Sequence, residues 1–207
     1  DALATFKISL PTPIMSGMRT PTRQFSSCVL ISAGDSLKSI NAASSAIVEY
    51  VSQRAGIGLD ISRIRAIGSE IRGGEANHTG VIPFIKLFKA AVKSCSQGGV
   101  RGGAATLYYP IWHYEVADLL VLKNNRGTES NRERHLDYGV QINGFMYNRL
   151  LTHGKISCFS PHDVPGLLDA FYADQKEFAR LYEIYEADES IRRNTYSAQI
   201  GRASCRE

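Results

Sequence analysis

Gln24-Phe25-Ser26-Ser27-Cys28-Val29-Leu30-Ile31, followed by Gly34-Asp35-Ser36 and, further on, by Gly56-Ile57-Gly58-Leu59-Asp60-Ile61, is the stretch that decides how this chain is built. Its first segment, residues 24–31, reads as a strand. Asp35 or Ser36 then offers a side-chain oxygen to an orphan N–H of a first helical turn, a cap worth ~1 kcal/mol. Leu37, Ile40, Ser44, Ile47 and Val51 recur at steps of three and four, which is one stripe of a helix. Ala42, Ala43, Ser45 and Ala46 keep its neighbouring faces slim, so this helix can pack closely on another, in the same chain or in a second subunit. Residues 56–61 end the helix and open a short strand. Strand, helix, strand, repeated along most of the length, argues an α/β fold with a largely parallel sheet.

Upstream, Thr5-Phe6-Lys7-Ile8-Ser9-Leu10 alternates apolar and polar residues, the period of a half-buried strand, and Pro11-Thr12-Pro13 stops it because neither proline donates to a ladder. Downstream of residue 61 a loop interleaves Arg63, Arg65 and Arg72 with Gly73 and Gly74. Such arginines suit a bidentate grip on phosphate oxygens, although a solvated basic loop is written the same way. A helix starts near Thr79–Pro83 with Ile82, Ile85, Phe88 and Val92 on its inner face. Residues 104–112 read as a strand broken by Pro110. Helices follow at 115–122, 138–151 and 175–188, with a short strand at 156–159.

Between the helix at 82–93 and the strand at 104–112 lies Cys95-Ser96-Gln97-Gly98-Gly99-Val100-Arg101-Gly102-Gly103. Glycine forgoes side-chain burial and loses extra backbone entropy on folding, so two pairs of them mark a place for positive φ angles or close backbone approach. Gln97 and Arg101 are the long polar arms on this strap. It reads either as a turn-rich surface loop or as a binding loop. An RGG-like nucleic-acid contact is a third reading, but such segments normally repeat and this one occurs once.

The 207 residues suffice for a sizeable core, and 43% apolar with 21% charged residues is an ordinary soluble composition. No apolar run approaches the ~18 residues of a membrane span, and no secretory signal is visible. A net charge of +4 suits anionic small molecules better than it demands nucleic acid. Cysteines at 28, 95, 158 and 205 lack zinc-knuckle spacing and are too sparse for a disulfide scaffold, so reduced thiols in a cytoplasmic setting are expected. Spacing alone favours a small buried hydrophobe over a reactive thiol for Cys28. A start at Asp1, without an initiator methionine, suggests a piece of something longer. Residues 200–207 lack periodicity, resemble the translation of a sequencing adapter, and are expected to be a non-native tail.

Several runs together resemble the large (alpha) subunit of class I ribonucleotide reductases of the bacterial aerobic type. They are Leu10-Pro11-Thr12-Pro13-Ile14-Met15, Gln24 to Cys28, Tyr50-Val51-Ser52-Gln53-Arg54-Ala55-Gly56-Ile57-Gly58, Ser94 to Gly103, Asn124-Asn125-Arg126-Gly127, Asp137-Tyr138-Gly139-Val140-Gln141 and Ser160-Pro161-His162-Asp163-Val164-Pro165-Gly166-Leu167. The resemblance implies roughly the first half of a ten-stranded α/β barrel over residues 1–199, a five-stranded and mostly parallel half with helices outside. It implies reduction of ribonucleoside diphosphates by thiol and radical chemistry, with the radical cysteine and its Asn and Glu partners outside this chain, so that the piece alone is inactive. Cys28 matches the reducing thiol whose disulfide partner lies beyond the chain. Thr12, Ser27, Gln97 and Arg101 match substrate contacts. Asp35, Ser36, Leu37, Arg65 and Arg72 match the site for a dNTP effector, and the glycine strap matches the loop between effector and substrate. The implied partners are a second large subunit, a metal-containing small subunit that supplies the radical, and thioredoxin or glutaredoxin as reductant. dNTP and ATP act as effectors, and no metal or other cofactor is held by this subunit. A stand-alone dimerising dNTP-binding module is the competing reading.

Overall fold

The computed structural model describes residues 2–21, 23, 25–97 and 101–197, without the side chains of residues 12, 16, 97 and 101. In chain order the elements are α1 (Thr12–Gly17), β1 (Cys28–Ser32), α2 (Leu37–Ser52), β2 (Gly56–Asp60), β3 (Glu70–Ile71), β4 (Ala76–Asn77) and α3 (Ile82–Lys93). Then come β5 (Ser96–Gln97), β6 (Arg101–Gly102), β7 (Ala105–Pro110), α4 (Val116–Leu120), β8 (Asp137–Gln141) and α5 (Gly144–Leu151). The last are β9 (Lys155–Phe159), α6 (Leu167–Ala173), α7 (Gln175–Ala187) and β10 (Arg193–Ser197).

Four strands form one parallel sheet in the order β1-β2-β7-β8, which is also their order along the chain. Each crossover adds its strand on the same side of the last, the winding of a barrel wall. Burial alternates along the strands. Ile57 and Leu59 of β2 and Leu107 and Tyr109 of β7 are buried, whereas Cys28, Leu30 and Ser32 of β1 are exposed. The covered face receives Ile40, Ala43, Ile47 and Val51 of α2 and Ile85, Phe88, Ala91 and Val92 of α3 in one continuous core. The stripe foreseen on α2 thus points into this chain, except that Leu37 stays exposed at its first turn. Ser36 caps that helix, its Oγ accepting the Ser39 N–H at 3.2 Å.

The fifth strand joins less fully than a barrel wall implies. β9 meets the end of β7's chain through a single parallel bridge, His113 to Phe159, in which the Phe159 N–H donates to Trp112 O and the Tyr114 N–H to Phe159 O, both at 2.8 Å. β9 pairs in full with β10, antiparallel, a strand the polar run Arg193–Ser197 did not announce. Behind it Trp112, Phe159, Phe171, Phe178 and Tyr182 pack with ring centroids 5.3–6.3 Å apart, in tilted and edge-on geometries aromatic pairs favour.

Two expected elements are corrected. Residues 5–10 are turns and coil rather than a strand: the Phe6 and Lys7 N–H groups bond back to Leu3 O and Ala2 O, and among the described residues no strand lies beside them. Alternation needs a neighbouring ladder to become a strand, and Phe6 and Ile8 are exposed. Thr12 accordingly heads the short helix α1 instead of closing a strand. The helix expected over 138–151 is instead β8 followed by α5, capped by Asn143, whose Oδ1 accepts the Met146 N–H. Gly139 explains the break. The Tyr108 ring lies over it so closely that a Cβ would sit 2.6 Å from the ring.

Gly103, which ends the glycine strap, is buried where a Cβ would run into the Val92 carbonyl and stand 2.8 Å from Val51 Cγ1. Gly103→Ala should therefore lower stability by roughly 1–3 kcal/mol, the usual cost of overpacking, read as a shift in the denaturant midpoint at unchanged slope.

Candidate functional site

β1 carries chemistry at both of its ends. At its head Cys28 is exposed on the bare face, and the Ser27 Oγ lies 3.6 Å from its Sγ. Ser26 Oγ donates to the Cys28 carbonyl at 3.1 Å and fixes the turn into the strand. Cys28 pairs in register with Gly56, and a Cβ there would lie 3.6 Å from the thiol, in ordinary contact. A hydroxyl, a thiol and open backbone thus face the same space. The sequence preference for a buried Cys28 is overturned by the alternation of β1, which turns Val29 and Ile31 toward the helices and Cys28 away.

The buried cysteine is Cys158, at 0% exposure, and burial pushes its thiol up to about 12. Cys95 is half-buried beside the strap. Gln97 and Arg101 pair across the small β5–β6 hairpin. Their side chains and residues 98–100 lie outside the described residues, as does the tail at 200–207.

At the other end of β1 the chain turns through Ala33 and Gly34 into α2, and a cavity of about 270 Å³ opens there. Asp35, Leu37, Arg65 and Arg72 line it together with Ile40, Ile71, Asn77, His78, Thr79 and Phe84. Asp35 Oδ1 accepts the Arg65 backbone N–H at 2.8 Å, and its Oδ2 accepts Nε and Nη2 of the same residue at 2.7 and 2.6 Å. Arg65 Nη1 donates to the Glu70 carbonyl at 2.6 Å. Arg65 is thereby a fixed cation, whereas the Arg72 side chain is exposed.

Ser36, the remaining residue expected at this pocket, is spent on its cap and is not among the lining residues. Arg72, Gly73 and Gly74 all have positive φ, 54°, 66° and 93°. For Arg72 that left-handed backbone costs roughly 1–2 kcal/mol, strain of the kind that gathers at ligand clamps. The opposite wall is the His78 ring stacked on Phe84, centroids 5.4 Å apart at 27°. Burial holds the His78 imidazole below its ordinary value, with Asp35 opposing and Arg65 adding to the effect. Phe84, Ile71, Asn77 and Thr79 were not foreseen as site residues. Their signal was only proximity in sequence to Arg72 and to the start of α3.

The pocket therefore offers one held cation, one exposed cation and a flat aromatic wall, the needs of an anionic ligand with a planar ring. A singly wound parallel α/β wall with a thiol on its bare face and an anion pocket at the strand's far end is the wall of a partial α/β barrel. The family model described as "Ribonucleotide reductase, barrel domain" matches residues 26–200. The chain belongs to that family. It is 74% identical over 198 residues to ribonucleoside-diphosphate reductase 1 subunit alpha of Escherichia coli strain K12, covering 96% of this chain and 26% of that protein. It is 62% identical to the ribonucleoside-diphosphate reductase subunit alpha of Enterobacteria phage T4, with 96% and 26% covered, and 39% identical to that of Chlamydia trachomatis, with 90% and 18% covered. The chain thus spans about a quarter of the length of the first two relatives. Among the described residues no helix is long and apolar enough to cross a membrane.

Thiol labelling under native conditions, read by peptide mass mapping, should modify Cys28 within minutes and leave Cys158 unmodified until denaturant is added; early modification of Cys158 would contradict the burial described.

His113, 1% exposed, supports the loop that carries Arg65: its Nε2 contacts the Ile64 carbonyl at 3.1 Å, and its Nδ1 accepts the Glu115 N–H at 3.2 Å. Burial lowers it to about 4 from 6.5, so the unfolded chain takes up a proton that native His113 refuses. Stability should fall as pH drops from 6.5 toward 4 and be independent of this group above that window, a component on the order of 3 kcal/mol. His113→Gln should remove that component from the pH dependence of chemical unfolding.

Proposed function

We propose that this chain is the part of a ribonucleoside-diphosphate reductase large subunit that holds the reducing thiol, the dNTP effector pocket and the loop between them. The observation that carries it is the exposed Cys28 beside Ser27 on the bare face of β1, with the cationic, aromatic-walled pocket at the other end of the same strand.

In this reading the ribose 2′-hydroxyl leaves as water while Cys28 and a second cysteine, outside the chain, each give up one electron and one proton. The products are a deoxyribonucleoside diphosphate, a disulfide and water. Thioredoxin or glutaredoxin then reduces the disulfide. Hydrogen abstraction that labilises the 2′-hydroxyl belongs to a radical cysteine outside this chain, fed by a metal-containing small subunit, so residues 1–199 do not turn over alone. Thr12, Ser27, Gln97 and Arg101 position the substrate. Ser27 is well placed for a ribose hydroxyl because its Oγ already faces the thiol.

Effector phosphates lie against Arg72 and the held Arg65, with the base toward the His78–Phe84 wall and Leu37. Asp35 and Ser36 set the start of α2 for the sugar. The slim outer face of α2 is the contact for a second large subunit, and the whole works in the cytoplasm. Residues 200–207 take no part.

Arg72→Ala and Arg65→Ala should each weaken dTTP or dATP binding by more than ~1 kcal/mol, about fivefold or more, in equilibrium dialysis. Unchanged binding in both variants would remove the effector reading, and tight salt-sensitive binding of single-stranded DNA would favour a nucleic-acid role instead.

A further inference from the structure

Glu115 is 5% exposed and stands at the N-cap of α4, yet its carboxylate does not cap that helix. The amides of the first turn, Asp118 and Leu119, are taken by the Glu115 backbone carbonyl, both at 3.0 Å. The side chain turns instead to another part of the molecule. Its Oε2 accepts the Ile67 N–H at 2.9 Å, and Oε1 and Oε2 share the Val81 N–H at 3.2 and 3.1 Å. Residues 67 and 81 are the two ends of one excursion, and its outer part supplies Ile71, Arg72, Asn77, His78 and Thr79 to the pocket.

Above the carboxylate the neck is cross-bonded, the Gly68 N–H to His78 O and the His78 N–H to Ser69 O, both at 2.8 Å. Gly80 makes room for it: φ is 93°, and a Cβ would stand 2.7 Å from Glu115 Oε1. Val81 also leads directly into α3, which bears Phe84. One anion therefore holds the arginine wall and the aromatic wall of the pocket at a set spacing. A carboxylate accepting backbone N–H groups bonds them more strongly than a neutral acceptor does. Burial raises the carboxyl against the pull of those two amides, with Asp118 adding to the rise and Arg192 opposing it.

We propose that Glu115 is a positioning residue for the effector pocket: by gripping both ends of the 67–81 excursion on one carboxylate, it sets the gap between the arginine wall and the His78–Phe84 wall, and so the affinity for the nucleotide. The inference rests on the effector reading above. Glu115→Gln replaces one acceptor oxygen with a donor that opposes a backbone N–H, and Glu115→Asp is one methylene short of reaching both ends.

The test uses a full-length large subunit containing this chain, with dTTP as the probe. The dissociation constant for dTTP should rise about tenfold in Glu115→Gln and less in Glu115→Asp, a change within the usual range of site coupling. Reductase rate at saturating dTTP should stay within about twofold of the parent. Wild-type affinity in Glu115→Gln would overturn the proposal, and so would a loss of saturated rate equal to the loss of affinity, which marks general damage. A measurement on the unmodified subunit covers the case in which the variants do not fold. The Ile67 and Val81 amides should gain hydrogen-exchange protection together, by about fivefold or more, when dTTP binds; no gain, or a gain at one end alone, would overturn the proposal. Arg72→Ala, run alongside, separates the two ideas. If it leaves dTTP binding unchanged the effector reading fails, whereas weakened binding there with wild-type binding in Glu115→Gln removes only the role of Glu115.

Discussion

The pairing of Asp35 with Arg65 holds the two halves of the site in one frame. Asp35 follows β1 and Arg65 follows β2, so three donors of a single arginine on one carboxylate lock the ends of neighbouring strands to each other. Both side chains are largely shielded from solvent, where such bonds are worth more than the usual surface ion pair. Remove the pairing, and the start of α2, the loop bearing Arg72 and the Glu70 carbonyl that Arg65 also holds lose their common reference. His113 and Ser160 brace the same loop from beneath, at Ile64 O and the Ala66 N–H.

Much of this was legible from residue order. The strand, capped helix and strand appear at Cys28–Ser32, Leu37–Ser52 and Gly56–Asp60, because apolar spacing and a capping serine are local signals; the first strand was expected from Gln24, but residues 25–27 are coil and it begins at Cys28. What failed depended on neighbours. Residues 5–10 carry a strand's alternation without a described ladder beside them. Tyr138 and Val140 belong to a strand because β7 is alongside and the Tyr108 ring needs the space over Gly139. β10 consists of polar residues whose partner, β9, lies in a different part of the chain.

For the site, residue types were informative and directions were not. Arg65, Arg72, Asp35 and Leu37 do share a cavity, but that Arg65 is already held by Asp35 and Ser36 spent on its cap emerges only in three dimensions. Cys28 looked like core because its neighbours are apolar, and a strand's two-residue period reverses that conclusion once one face is known to be bare. Glu115 gave no signal at all, since a carboxylate at the head of a helix ordinarily serves that helix.

β1 is bonded in register to β2 along all five of its residues, Cys28 opposite Gly56 through Ser32 opposite Asp60. A strand clamped in this way is stiff along its axis, and sliding it would break every rung at once. The thiol at its head and the turn into α2 at its tail are therefore two stations on one rigid rod, kept at a constant separation by the rungs between them.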